Sequence, residues 1–205
     1  MSLDGWKLLE KYRSMALLVA GGLYGIDTGA MTLDLLTDTS LSGGVFVVLF
    51  VAALMLTLAG VLGVYPSLSE KRPRLARLSM IPIAGAGVLL AITFGWAILA
   101  SLLNRSLPPG GLAALIISLI FIGLALVGVA STRLRIPSQI GGVFVLGLVA
   151  IWGGWFVGVV LWGPHHLPGW WSPIFTAGTS VTTLALGYTL HRSGKIASHP
   201  EPTGI

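Results

Sequence analysis

The 205-residue chain is 55% apolar and only 9% charged, with 12 Lys+Arg against 7 Asp+Glu. A soluble domain is typically about a quarter charged, so this composition and a mean hydropathy of +0.91 exclude a water-covered surface and place the chain in lipid. The absence of cysteine excludes disulfides and thiolate metal sites, and the +5 net charge lies between apolar runs instead of along one face, which argues for membrane topology and against nucleic-acid binding.

Residues 1–14 form a polar lead-in. Leu3, Trp6, Leu9 and Tyr12 fall about three apart, which suits either a short helix on the membrane surface or a simple cytoplasmic entry to the first span. Its mixed charges (Asp4, Lys7, Glu10, Lys11, Arg13) are not those of a cleaved leader. Six uncharged or nearly uncharged runs follow, near 15–36, 43–65, 79–103, 111–132, 139–163 and 173–190. About 20 mostly apolar residues cross the hydrocarbon as a helix, and backbone groups in lipid must be satisfied internally. The expectation is an all-α polytopic protein with six spans over 15–190 and a polar tail at 191–205.

The connections carry turn residues, and Pro is present in the last four of them. Pro82 and Pro173 are expected near the starts of spans three and six, where a missing N–H costs little. With the N-terminus inside, the inner segments hold Lys7, Lys11, Arg13, Lys71, Arg72, Arg74, Arg77, Arg133, Arg135, Arg192 and Lys195. That is eleven of the twelve bases, with only Arg105 outside. Short-loop Lys/Arg bias sets orientation, so both termini are expected on the cytoplasmic side of a cell membrane. Trp162, Trp170 and Trp171 would then sit at the outer interface.

An internal repeat is also legible. Residues 43–52 (GGVFVVLFVA) and 141–150 (GGVFVLGLVA) share seven of ten residues at an offset of 98. The same offset pairs Ala16-Leu17 with Ala114-Leu115 and Gly25 with Gly123. Pro82-Ile83 and Ala86-Gly87 of span three recur as Pro173-Ile174 and Ala177-Gly178 of span six. Three spans per copy is an odd number, so the second copy would enter from the opposite side. Such a 3+3 inverted-topology repeat is common among transporters.

Span one holds the residues that invite a function. Asp27 lies near mid-span, where a carboxylate is costly and marks a functional hypothesis by default. Tyr24 belongs to the same stretch, and Asp34 falls near the outer end. Gly21, Gly25 and Gly29 recur every four residues, a small-residue face for close helix packing. In span six, Thr176, Ser180 and Thr183 share one face, suited to lining a polar path or bonding to Asp27, although hydroxyls in such helices also bond back to their own carbonyls.

Other motifs carry less. Asp27-Thr28-Gly29 has no second copy to supply the paired carboxylates of an aspartic protease. His165 and His166 are adjacent in a loop with no acid beside them, and spans one to five hold no histidine for haem. No hydroxyl nucleophile has a base at membrane depth, no phosphate loop is present, and the Asn-Pro-Ala signature of water channels is missing. The chain is therefore expected to need no metal or cofactor and not to be an enzyme. Two readings remain. One is a small permease or channel-like protein with Asp27 as a proton or cation site and Tyr24, Thr176, Ser180 and Thr183 around the path. The other is a non-catalytic accessory subunit whose glycine faces and tryptophans (Trp96, Trp152, Trp155) pack partners or lipids. Membrane lipids, further copies of the chain or other membrane subunits are the expected partners.

Overall fold

In the computed structural model, residues 3–37, 43–71, 73–103, 110–132, 138–162 and 167–198 are described. They form seven helices: α1 (Leu3–Thr37), α2 (Gly43–Leu62), α3 (Tyr65–Lys71), α4 (Pro73–Leu102), α5 (Gly110–Thr132), α6 (Ser138–Trp162) and α7 (Trp171–Ser198). No strand occurs among the described residues. Five of the helices are long and apolar enough to cross a membrane on their own. α7 is also of spanning length, but its Thr and Ser residues lower its hydropathy. It lies between α1 and α6, and so crosses with them. The chain is an all-α polytopic membrane protein.

The outward faces explain the composition. Ile26 and Leu33 of α1, Ile81, Val88, Ile92 and Leu99 of α4, and Val157 and Val160 of α6 are exposed. In water such continuous apolar surface would drive association; in hydrocarbon it is the solvated face.

The helices close a ring in the order α1, α2, α4, α5, α6, α7, with α7 returning to α1. The α2–α4 contact is the thinnest wall, and α3 caps α4 and α1 at one end. Neighbours are antiparallel wherever close approaches define the register: Gly21 lies at Leu184 and Gly187 at Leu18, while Gly142 lies at Thr132 and Gly128 at Leu146. The half of the bundle bearing the N-terminus and α3 is packed solid by Leu17, Leu58, Val61, Leu68, Met80, Ile83, Val127, Val145 and Leu186.

Three details differ from the expectation. The segment expected over 3–12 is not a separate surface helix but the first turns of a 35-residue α1. Its length is about 52 Å, well beyond the roughly 30 Å of hydrocarbon, and polar contacts hold the protruding end. Arg13 Nη1 donates to Ser67 Oγ at 3.0 Å, and Ser67 Oγ donates to Glu10 Oε1 at 3.2 Å. The Trp6 and Tyr65 rings meet at 4.4 Å beside them. Secondly, Pro82 is inside α4, not at its start, because Pro73 opens the helix nine residues earlier, at the position proline favours. Thirdly, α7 continues beyond 190 to Ser198, with His191 and Arg192 exposed.

The α1–α7 seam depends on a missing side chain. A methyl group on Gly21 would come within 2.6 Å of Leu184 Cγ and 2.9 Å of the Leu184 backbone nitrogen. One on Gly22 would meet nothing within 4 Å. Gly21→Ala is therefore expected to destabilise the bundle by about 1–3 kcal/mol, read by denaturant or thermal unfolding in detergent, and Gly22→Ala to leave it unchanged.

Candidate functional site

The other half of the ring is hollow. A partly open cavity of about 320 Å³ lies among α1, α2, α5, α6 and α7. Its aromatic lining comprises Tyr24, Phe50, Phe121, Trp152, Trp155, Phe156 and Phe175, with Leu54, Leu58, Ile117, Ile120, Leu124, Leu148 and Val149 completing most of the wall. Its floor is shared with the packed half, since Leu58 and Leu124 belong to both. None of its described lining residues comes from α4.

The rings form a connected series across three helices. Tyr24 of α1 meets Phe50 of α2 at 5.8 Å, Phe50 meets Trp152 of α6 at 5.3 Å, and Trp152 meets Trp155 at 6.0 Å, all edge to face. This geometry sets the positive edge of one ring against the negative face of the next. Trp171 and Phe175 stack at 4.8 Å on α7.

The threonine hydroxyls of the wall are engaged with backbone. Thr176 Oγ1 donates to the Ser172 carbonyl at 2.9 Å, and Thr179 Oγ1 to that of Phe175 at 2.8 Å. Thr57 Oγ1 donates to the Ala53 carbonyl at 2.8 Å. Tyr24 and Thr57 face the same cavity from α1 and α2.

Asp27 lies one turn beyond Tyr24, fully buried. Ten residues separate it from Thr37, about 15 Å of helix, which is half the hydrocarbon thickness. Neither carboxylate oxygen has a hydrogen-bond partner among the described residues. Asp27 does not line the cavity, whereas Tyr24, three residues earlier on the same helix, does. No group of three or more His, Asp or Glu gathers among the described residues.

The sequence-selected residues thus separate. Tyr24 and Thr176 face the cavity. Ser180 Oγ instead crosses to α1 and donates to the Gly21 carbonyl at 2.7 Å. Thr183 is buried, with its hydroxyl unpartnered among the described residues. The hydroxyl face of α7 therefore makes no hydrogen bond to Asp27. Of the glycine face, Gly21 is tight against α7, Gly25 stands 3.3 Å from Ser180 Oγ on the same construction, and Gly29 faces open space, so the seam relaxes toward the hollow end. Asp34 is half-buried near that end of α1. Trp96 is exposed on α4, whereas Trp152 and Trp155 turn inward. His165 and His166 lie outside the described residues.

Sequence reading selected Tyr24 and named Trp152 and Trp155 only as packing residues, and it did not select Phe50, Phe121, Phe156, Phe175 or Thr57. The available signal was the spacing of Trp152, Trp155 and Phe156 in α6, which puts large rings on adjoining faces of one helix. No known protein family, curated protein or solved structure matches the chain. The class is therefore defined by the fold itself, a ring of membrane helices around a one-sided aromatic cavity with a buried acid behind its wall.

The two hydroxyl types of α7 predict different costs. Ser180→Ala removes an interhelical bond and is expected to lower stability by about 0.6–1.7 kcal/mol. Thr176→Val removes only a bond within its own helix, and unfolding titrations in mixed micelles should place it close to the unsubstituted protein.

Proposed function

We propose that the chain is a small permease-like membrane protein in which Asp27 is the group that takes up and releases a proton or a cation. The observation that carries this reading is the pair of buried Asp27 oxygens at mid-span with no hydrogen-bond partner among the described residues. A charged carboxylate so placed is uncompensated, and the cost of holding it there is several kcal/mol. A group of this kind gains from any proton or cation that reaches it, and an element that packs merely for stability would use an apolar residue instead.

The distribution of space around it supports the same reading. One half of the ring is filled and the other is hollow, the asymmetry expected of a carrier resting with one side shut. Exchanging α1, α2 and α4 for α5, α6 and α7 preserves the order of neighbours round the ring. That is compatible with two inverted copies of three spans, the plan suggested by the offset of 98. Both termini would lie in the cytoplasm, following the Lys/Arg bias.

Two experiments test this. Asp27→Asn in proteoliposomes should abolish proton flux, followed by an entrapped pH-sensitive dye, while expression and the unfolding midpoint stay unchanged. Undiminished flux in the variant sinks the coupling role. Stoichiometric capture of other membrane subunits by a protein without flux of its own would favour the accessory-subunit reading. For orientation, the cysteine-free chain allows single labels. Ser106→Cys, between α4 and α5, should react with a membrane-impermeant maleimide in intact cells, and Ser198→Cys only after the cells are opened. The reverse pattern would invert the topology.

A further inference from the structure

We propose that the cavity binds a lipophilic organic cation, of the quaternary ammonium or phosphonium class with apolar substituents. This deepens the function proposed above and rests on its reading of Asp27 as the charged group. Four features narrow the occupant. The volume of about 320 Å³ lies at the lower end of the range for small-molecule sites, about 300–1,000 Å³. An occupant of that size meets aliphatic and aromatic wall nearly everywhere, so most of its surface must be apolar.

Its charge follows from what the wall offers and withholds. The hydroxyls of Thr57, Thr176 and Thr179 give their protons to backbone carbonyls. Hard metal ions take six or more oxygen ligands or retain water, and the wall presents nothing comparable, so a strongly hydrated ion would lose its shell without replacement. No Lys or Arg lines the cavity among the described residues, so an anion would find no opposite charge there. A cation whose charge is spread under apolar groups carries little hydration to lose. The negative faces of aromatic rings attract such cations within about 6 Å, and Tyr24, Phe50, Trp152 and Trp155 supply four connected rings from three helices. Asp27, fully buried one turn from Tyr24, adds a carboxylate behind that series.

The route of entry fits the same class. α4 touches α2 near Gly87 and Leu58 but contributes nothing to the cavity wall. The ring is therefore least complete between α2 and α5, on a side facing hydrocarbon. Lipophilic cations partition into the bilayer and can approach laterally.

The test uses the whole chain in lipid nanodiscs, with tetraphenylphosphonium as probe and tetraphenylborate as an anion of nearly the same shape. Equilibrium dialysis should give one saturable phosphonium site per chain, bound at least about tenfold more tightly than the borate. Trp155→Leu should weaken phosphonium binding about tenfold with the unfolding midpoint retained, and Asp27→Asn should collapse the preference for cation over anion. Equal affinity for the two ions, or a preference unchanged by Asp27→Asn, overturns the assignment and leaves a cavity filled by lipid chains. Asp27-dependent proton flux without saturable phosphonium binding overturns this substrate class alone. Loss of both overturns the coupling reading beneath it.

Discussion

The absence of water around the backbone governs this structure. In hydrocarbon every N–H and C=O must find its partner within the protein, so each span becomes a helix that closes its own hydrogen bonds. Side-chain hydroxyls obey the same demand. Thr28, Thr57, Thr176, Thr179 and Thr182 each donate to a carbonyl one turn earlier in their own helix. Once these groups are turned inward on their own helices, little polar glue remains between helices. Ser180 to Gly21 is an interhelical exception. Packing then depends on shape, which is why the α1–α7 seam is tight where glycine admits a neighbouring leucine and loosens where no side chain interlocks.

Against that background Asp27 is conspicuous. A threonine can fold its proton back onto the helix, but an aspartate at this position has two acceptors and, among the described residues, no proton donor to meet them. Tyr24, one turn earlier on the same helix, stands in the cavity wall and sets its ring against Phe50 of α2. The arrangement couples three things that need not have been coupled: a buried acid, a phenol in a cavity wall, and a contact between two helices. Movement of α1 against α2 cannot occur without disturbing all three.

How much of this was legible in the sequence follows from the range of the forces involved. The all-α membrane class was readable because hydropathy is local, and long apolar runs announce helices. Helix ends were less so. Pro82 reads as a helix start when hydropathy alone sets the boundary, whereas Pro73 opens α4 among charged residues that precede the apolar run. Likewise the charges of 3–14 suggested a separate segment, yet polar contacts to Ser67 and ring stacking on Tyr65 let α1 continue unbroken into water. Asp27 stood out because a charge in lipid is rare. Its surroundings did not, since the rings of Phe50 and Trp152 come from helices far apart in sequence. Thr176, Ser180 and Thr183 share a face by periodicity, but only the packing of α7 against its neighbours decides which of them reaches the cavity, which bridges to α1 and which is left buried.

The division of the ring into a filled and a hollow half also has a mechanical meaning. Close-packed interiors resist compression and transmit strain, while side chains around a void lose part of their dispersion contacts. The end built on α3 and the Leu17–Val61–Ile83 cluster is thus the stiff end of the molecule, and the end walled by Phe50, Trp152 and Phe175 is its soft one. A change in the thickness or lateral pressure of the bilayer acts on all six helices at once, but only one end can yield to it. The bilayer itself thereby becomes an input to the width of the cavity, applied through the same helices that carry Tyr24 and Asp27.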